Sequence, residues 1–206
     1  MERNPLRWPI GCIGGLLVIV FYCVFTLTSI ILYPGSISPT TNALSDLGNW
    51  SHSPVGAFFY NSGCIITGVA LFIFFFGLAK WYTYDEKWRF FLLQITQVLG
   101  FMSAIALIMI GVYSEDSGRI HGLWSSVFFV INFFVMLLAN TSLITHPKFI
   151  KPIGLYGYSV TVLSLIFEFT IGGPLVEWFT VFTALAFAGF IVINMLKVFG
   201  NAKRTR

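Results

Sequence analysis

Between Gly111 and Trp124 the chain reads GVYSEDSGRIHGLW, which places Glu115, Asp116, Arg119 and His121 within seven residues. A carboxylate near an imidazole is the pairing that general acid–base catalysis uses, and a neutral imidazole also binds metals. Arg119 is a natural partner for an anionic group. Further acids stand at Asp46, in Ser45-Asp46-Leu47-Gly48-Asn49, and at Glu168 and Glu177, which flank Gly172-Gly173-Pro174. Asn61 and Asn132 are isolated amides in apolar surroundings. No nucleophile elbow surrounds Ser45. Besides His121 the chain has only His52 and His146, at separate loops, which argues against a three-histidine metal site. A mixed Asp/Glu/His site stays open, and with it the identity of any cofactor.

Each of these groups also has an ordinary structural duty. Asp46 can accept a hydrogen bond within its own turn, with Gly48 taking a positive φ. Asp116 or Ser117 can cap a following helix, and Glu177 can complement the dipole of one that opens at Pro174. Asn61 and Asn132 can join helices by hydrogen bonds. His121 and Glu168 are harder to explain in this way. A histidine in the first turn of an apolar helix is unfavourable as a cation, and a carboxylate within a membrane span faces the bundle interior or water by default.

The elements that carry these residues are strongly apolar. Of 206 residues 57% are hydrophobic and 10% charged, with a mean hydropathy of +0.84. Soluble domains approach a quarter charged. Runs of about 18 or more apolar residues span a bilayer as helices. Six are present, at Pro9–Tyr33, Val55–Ala79, Phe90–Val112, Ile120–Ile144, Ile153–Ile171 and Leu175–Val198. The expected fold is all-α: a polytopic membrane protein, six helices in one bundle, forming a single domain over residues 1–206. The first run is too long for a secretory signal and lacks a small-x-small cleavage site. Cys12, Cys23 and Cys64 fall inside apolar runs with no metal-ligand spacing, so neither a disulfide nor redox chemistry is expected.

Every Lys and Arg except Arg119 falls on one side of this arrangement, including Arg3, Arg7 and the tail NAKRTR. The positive-inside rule then puts both termini in the cytoplasm of a multi-pass cell-membrane protein. The basic residues read as topology anchors meeting membrane lipids, and no nucleic acid is expected as a partner. Asp46, Glu115, Asp116 and Glu177 gather at the opposite face, with Glu168 about one turn inside it. The only long connection there is Pro34–Pro54, where the spacing predicts a short helix within TNALSDLGNW and an N-cap and first-turn proline at Ser53-Pro54. Asn49-Trp50-Ser51 is a glycosylation sequon close to the membrane. The tryptophans read as an interfacial belt. The small residues around Gly11, Gly14 and Gly15 suit close helix contact, either within the bundle or in a homo-oligomer.

YPGSIS, then NALSDLGNWSHSPVGAFFYNSGCIITG, GVYSEDSGRIH and GGPLVEWF together resemble the family known as domain of unknown function 998. More distantly the chain is similar to the Frag1/DRAM/Sfk1 group of six-helix membrane proteins. The matching positions are Ser45, Asp46, Gly48, Pro54, Asn61, Gly111, Glu115, Asp116, His121 and Glu177. Tyr113-Ser114 stands where the family commonly has Phe-Pro, which implies a less rigid turn. The resemblance implies six transmembrane helices. Its distant relatives include proteins associated with remodelling glycosylphosphatidylinositol lipid, which implies a lipid-facing role by analogy only.

The residues support three readings. The first is a binder, sensor or accessory subunit with a polar pocket at the extracytoplasmic face, lined by Ser45, Asp46, Asn61, Glu115, Asp116, Arg119, His121, Glu168 and Glu177. It would bind a lipid or small molecule, and a membrane-protein partner or homo-oligomer is compatible with it. The second is a lipid-modifying hydrolase or transferase in which His121 acts with Asp46, Glu115 and Glu177. The third is a proton-coupled transporter, which the absence of a visible internal repeat disfavours.

Overall fold

The computed structural model describes residues 8–200. Six helices, α1 Ile10–Leu32, α2 Pro54–Gly77, α3 Lys87–Val112, α4 Arg119–Ile144, α5 Lys151–Thr170 and α6 Pro174–Phe199, are each long and apolar enough to cross a membrane. Their bounds lie close to the apolar runs. The largest extension is at α3, which begins at Lys87 because a helix continues through polar residues where the hydropathy signal has already fallen. A single 3-10 turn, Leu78–Trp81, follows α2.

The helices form a closed ring in chain order, each packed on the next and α6 returning to α1. The α1–α2 seam is the closest. A Cβ on Gly14 would meet the backbone of Phe74 at 2.4 Å, and one on Gly77 would meet Gly11 Cα at 2.1 Å. The small-residue stripe of α1 is therefore spent inside the bundle, where close backbone approach replaces the hydrophobic driving force that lipid removes.

The two ends of the ring differ in charge. At the basic end Arg89 is 4% exposed and donates to Thr83 Oγ1 at 2.9 Å and to the Thr145 carbonyl at 3.0 Å. Lys151 donates to the carbonyls of Ile144 and, at 3.1 Å, His146. Cations thus satisfy the open carbonyls at the end of α4, where the helix dipole favours positive charge. Burial, then Arg89, Lys148 and Lys151, hold the His146 imidazole below its ordinary pKa. At the acidic end lie the 33–53 connection, the 113–118 turn and the Gly172-Gly173 link. Gly118, Gly172 and Gly173 there take φ values of 55°, 62° and 70°, a left-handed backbone that excludes most side chains.

Candidate functional site

The 33–53 connection lies across the mouth of the bundle as a strap. Its helical content is one 3-10 turn, Ser45–Gly48, rather than a regular short helix. Gly48 does not take the positive φ expected of it. Glycine is needed because a Cβ would lie 2.6 Å from Asn61 Oδ1, and Asn61 Nδ2 donates to the Gly48 carbonyl at 3.0 Å. Ser53 caps α2 as expected, accepting from Gly56 N at 3.2 Å while donating to the Leu32 carbonyl at 3.1 Å.

The acids hold this strap. Asp46 Oδ2 accepts from Ala43 N at 3.1 Å and Asn42 Nδ2 at 3.3 Å, closing the local turn. Glu177 Oε2 accepts from Leu44 N at 3.2 Å, and Trp178 Nε1 donates to the Asn42 carbonyl at 2.8 Å, tying the strap to α6. Glu115 accepts from Asn49 Nδ2. Asp116 accepts from Trp50 N at 2.7 Å and from the Ser51 hydroxyl at 3.0 Å, tying the strap to the α3–α4 turn. Burial opposes the ionised form of Asp116, but the hydrogen bonds from Trp50 and Ser51 outweigh it, so its carboxyl sits below the ordinary value. Neither Asp116 nor Ser117 caps α4; the cap is Gly118, which has no side chain to offer. The Asn49 amide of the sequon is turned inward, 9% exposed, onto Glu115.

Beneath the strap a cavity runs into the bundle, with about 1030 Å³ of space between its walls, open solvent included. Residues of α1, α2, α3, α4 and α6 line it; none comes from α5. Along α6 the lining extends from Glu177 to Ile191, about 21 Å at 1.5 Å rise per residue. The walls are mainly Leu, Val, Ile, Phe and Ala, including Leu71, Phe74, Leu107 and Phe128. Polar groups interrupt them sparsely: Ser45, Glu177, Tyr22 and Tyr60 toward the acidic end, then Ser125, Thr67, Ser103 and Asn132.

Of the residues singled out in the sequence, Ser45, Asn132 and Glu177 line the cavity; Asp46 lies in the strap above it, and Asn61, Glu115 and Asp116 hold the strap from α2 and the α3–α4 turn. His121 is buried, with Nδ1 against the Tyr113 carbonyl at 2.8 Å. Because a carbonyl only accepts, Nδ1 carries the proton, and Nε2 is left buried without a partner. Arg119 and Glu168 are exposed and outside the lining. No hydrogen bond joins Asp46, Glu115, His121 and Glu177 to one another among the described residues. Nor do three His, Cys, Asp or Glu side chains among the described residues converge as a metal site. Reading charge alone missed Tyr22, Tyr60, Thr67, Ser103 and Ser125. Their signal was the uncharged polar side chain set within an apolar run, as at Thr67 and Ser103.

Fold and site together define a multi-pass membrane protein: a ring of six helices around an internal cavity with a strapped acidic mouth. Residues 13–202 match the family described as Protein of unknown function (DUF998), and the chain belongs to that family. No curated protein and no solved structure matches it.

Proposed function

We propose that this chain is a cell-membrane protein that binds a lipid or another amphipathic small molecule in its bundle cavity, as a binder, sensor or accessory subunit. The observation that carries this reading is the cavity itself, about 21 Å long and mainly apolar, with its one charged lining residue among those described at one end. Ligand sites are concave, mostly apolar and furnished with a few convergent polar groups. Lys80, Lys87, Arg89, Lys148, Lys151 and Lys197 cluster at the other end of the ring, which supports a cytoplasmic basic end and an outward-facing mouth. Binding is favoured over catalysis because His121 is engaged by a backbone carbonyl, lies outside the lining and meets none of the acids proposed to work with it.

Native mass spectrometry of the full chain, released gently from lipid nanodiscs, tests the proposal. A stoichiometric added mass is expected. It should be lost in Ala188→Phe, which places a ring in the cavity, and reduced in the milder Ala184→Leu; thermal unfolding checks that both variants fold. A bare wild-type chain, or the same added mass in folded variants, would overturn the reading.

A further inference from the structure

The cavity is selective in charge as well as in shape. Among the described residues that line it, Glu177 is the only one with a formal charge, and no Lys, Arg or His is present. Glu177 is anchored rather than free to swing away, since Leu44 N holds Oε2 at 3.2 Å. The cation on the same end, Arg119, is exposed and outside the lining. Lys197, on the same helix as Glu177, lies twenty residues away, about 30 Å along the axis. An anionic group brought in here would meet a carboxylate in a low-dielectric space with no cation among the described residues that line it.

A second observation marks the space as a site rather than a packing gap. Thr67 is 1% exposed, lines the cavity, and its hydroxyl has no hydrogen-bond partner. Buried polar atoms in native proteins are nearly always satisfied, and each exception calls for a missing partner. A polar atom of a ligand, or water accompanying one, would supply it.

Resting on the binding reading above, we infer that the cavity selects amphiphiles whose polar end is not anionic and donates hydrogen bonds, a long-chain alcohol or amine, over a carboxylate or phosphate of equal chain length. Its hydrogen bond is donated to the Glu177 carboxylate, and the chain lies against Leu71, Phe74 and Phe128. Ser45 and Tyr60 border the polar end and can adjust as donors or acceptors.

The test uses three probes of one chain length, hexadecan-1-ol, hexadecylamine and hexadecanoate, titrated at pH 8 into the full chain in nanodiscs. Binding is read by native mass spectrometry and by the rise in the unfolding midpoint. The alcohol and the amine should each bind at least about tenfold more tightly than the carboxylate. In Glu177→Gln, whose side-chain oxygen can still accept from Leu44 N, the carboxylate should come within a few-fold of the alcohol and the amine should lose its advantage. Thr67→Val keeps the shape and Glu177, so the ranking should persist in it. Equal binding of alcohol and carboxylate to the wild-type chain would overturn the selectivity while leaving the binding reading intact. A ranking that survives Glu177→Gln but disappears in Thr67→Val would overturn the role given to Glu177. Failure of all three probes would count against both the cavity as a binding site and its selectivity.

Discussion

Gly77→Ala adds one methyl group at the closest point of the α1–α2 seam. The new Cβ would lie 2.1 Å from Gly11 Cα and 2.2 Å from Gly11 N. Non-bonded carbons settle at roughly 3.5–4.0 Å, so the two helices must part by about 1.5 Å there. Both obstructing atoms are backbone, and no rotamer change relieves the clash. A gap of about 0.5–1 Å already forfeits roughly a quarter to a half of each dispersion well along the seam, and dispersion is the main attraction between helices in lipid. Overpacking costs about 1–3 kcal/mol, and a backbone-to-backbone clash belongs in the upper half of that range. At about 2–4 °C per kcal/mol for a chain of this size, the unfolding midpoint should fall by roughly 4–12 °C. Gly122→Ala is the matched control. Its Cβ meets nothing within 4 Å, and removing a helical glycine stabilises by up to about 1 kcal/mol. Thermal unfolding of both variants in one detergent, with size-exclusion chromatography alongside, makes the comparison. A Gly77→Ala midpoint at or above wild type would refute the seam. A changed oligomeric state with an unchanged midpoint would show that the glycines face a second copy instead.

The two ends of the bundle should respond to acid for different reasons. Asp116 has a folded pKa below its ordinary 3.8, so its hold on Trp50 and Ser51 is complete above that value and is lost as pH falls through the lower folded one. Protection of residues 49–53 from hydrogen–deuterium exchange, taken against the intrinsic rate at each pH, should therefore hold at neutral pH and be lost only as pH falls below 3.8, whereas Asp116→Ala should be unprotected throughout; equal protection in both chains at neutral pH would contradict the tie. His146 is depressed from 6.5, by burial first and then by Arg89, Lys148 and Lys151, with Glu86 pulling weakly the other way. Its contribution is thus complete above 6.5 and lost as pH falls through the folded value. The midpoint should drop as pH falls below 6.5, and His146→Gln should flatten that drop; an equally steep drop in the variant would place its cause elsewhere.

Helix positions were legible because the bilayer demands length and apolarity together, which a single sequence displays directly. The acidic mouth was legible as a gathering of charge, but its work was not. Asp116 and Trp50 are 66 residues apart, and a carboxylate in the first turn before a helix reads locally as a cap. Only the fold shows that the cap position fell to Gly118 and that the acids were free to bind the strap.

The cavity was harder to see for a reason specific to membranes. In water, the apolar stripe of a helix marks its inner face. In lipid both faces are apolar, so Leu71 and Phe74 inside the cavity look no different in sequence from Val69 and Phe76 outside it. The remaining discriminant is the polar residue, which lipid disfavours and the bundle interior admits. Thr67, Ser103 and Asn132 obey that rule and trace the cavity through α2, α3 and α4. Glu168 departs from it, exposed on α5, and its depth accounts for the exception. It lies two residues from the end of α5 at Thr170, about 3 Å along the axis, where headgroups and water solvate a carboxylate without help from the bundle. Glu177 lies only three residues from the start of its own helix at Pro174 yet reaches under the strap, so what separates a lining acid from an outlying one is the strap overhead and not depth in the membrane.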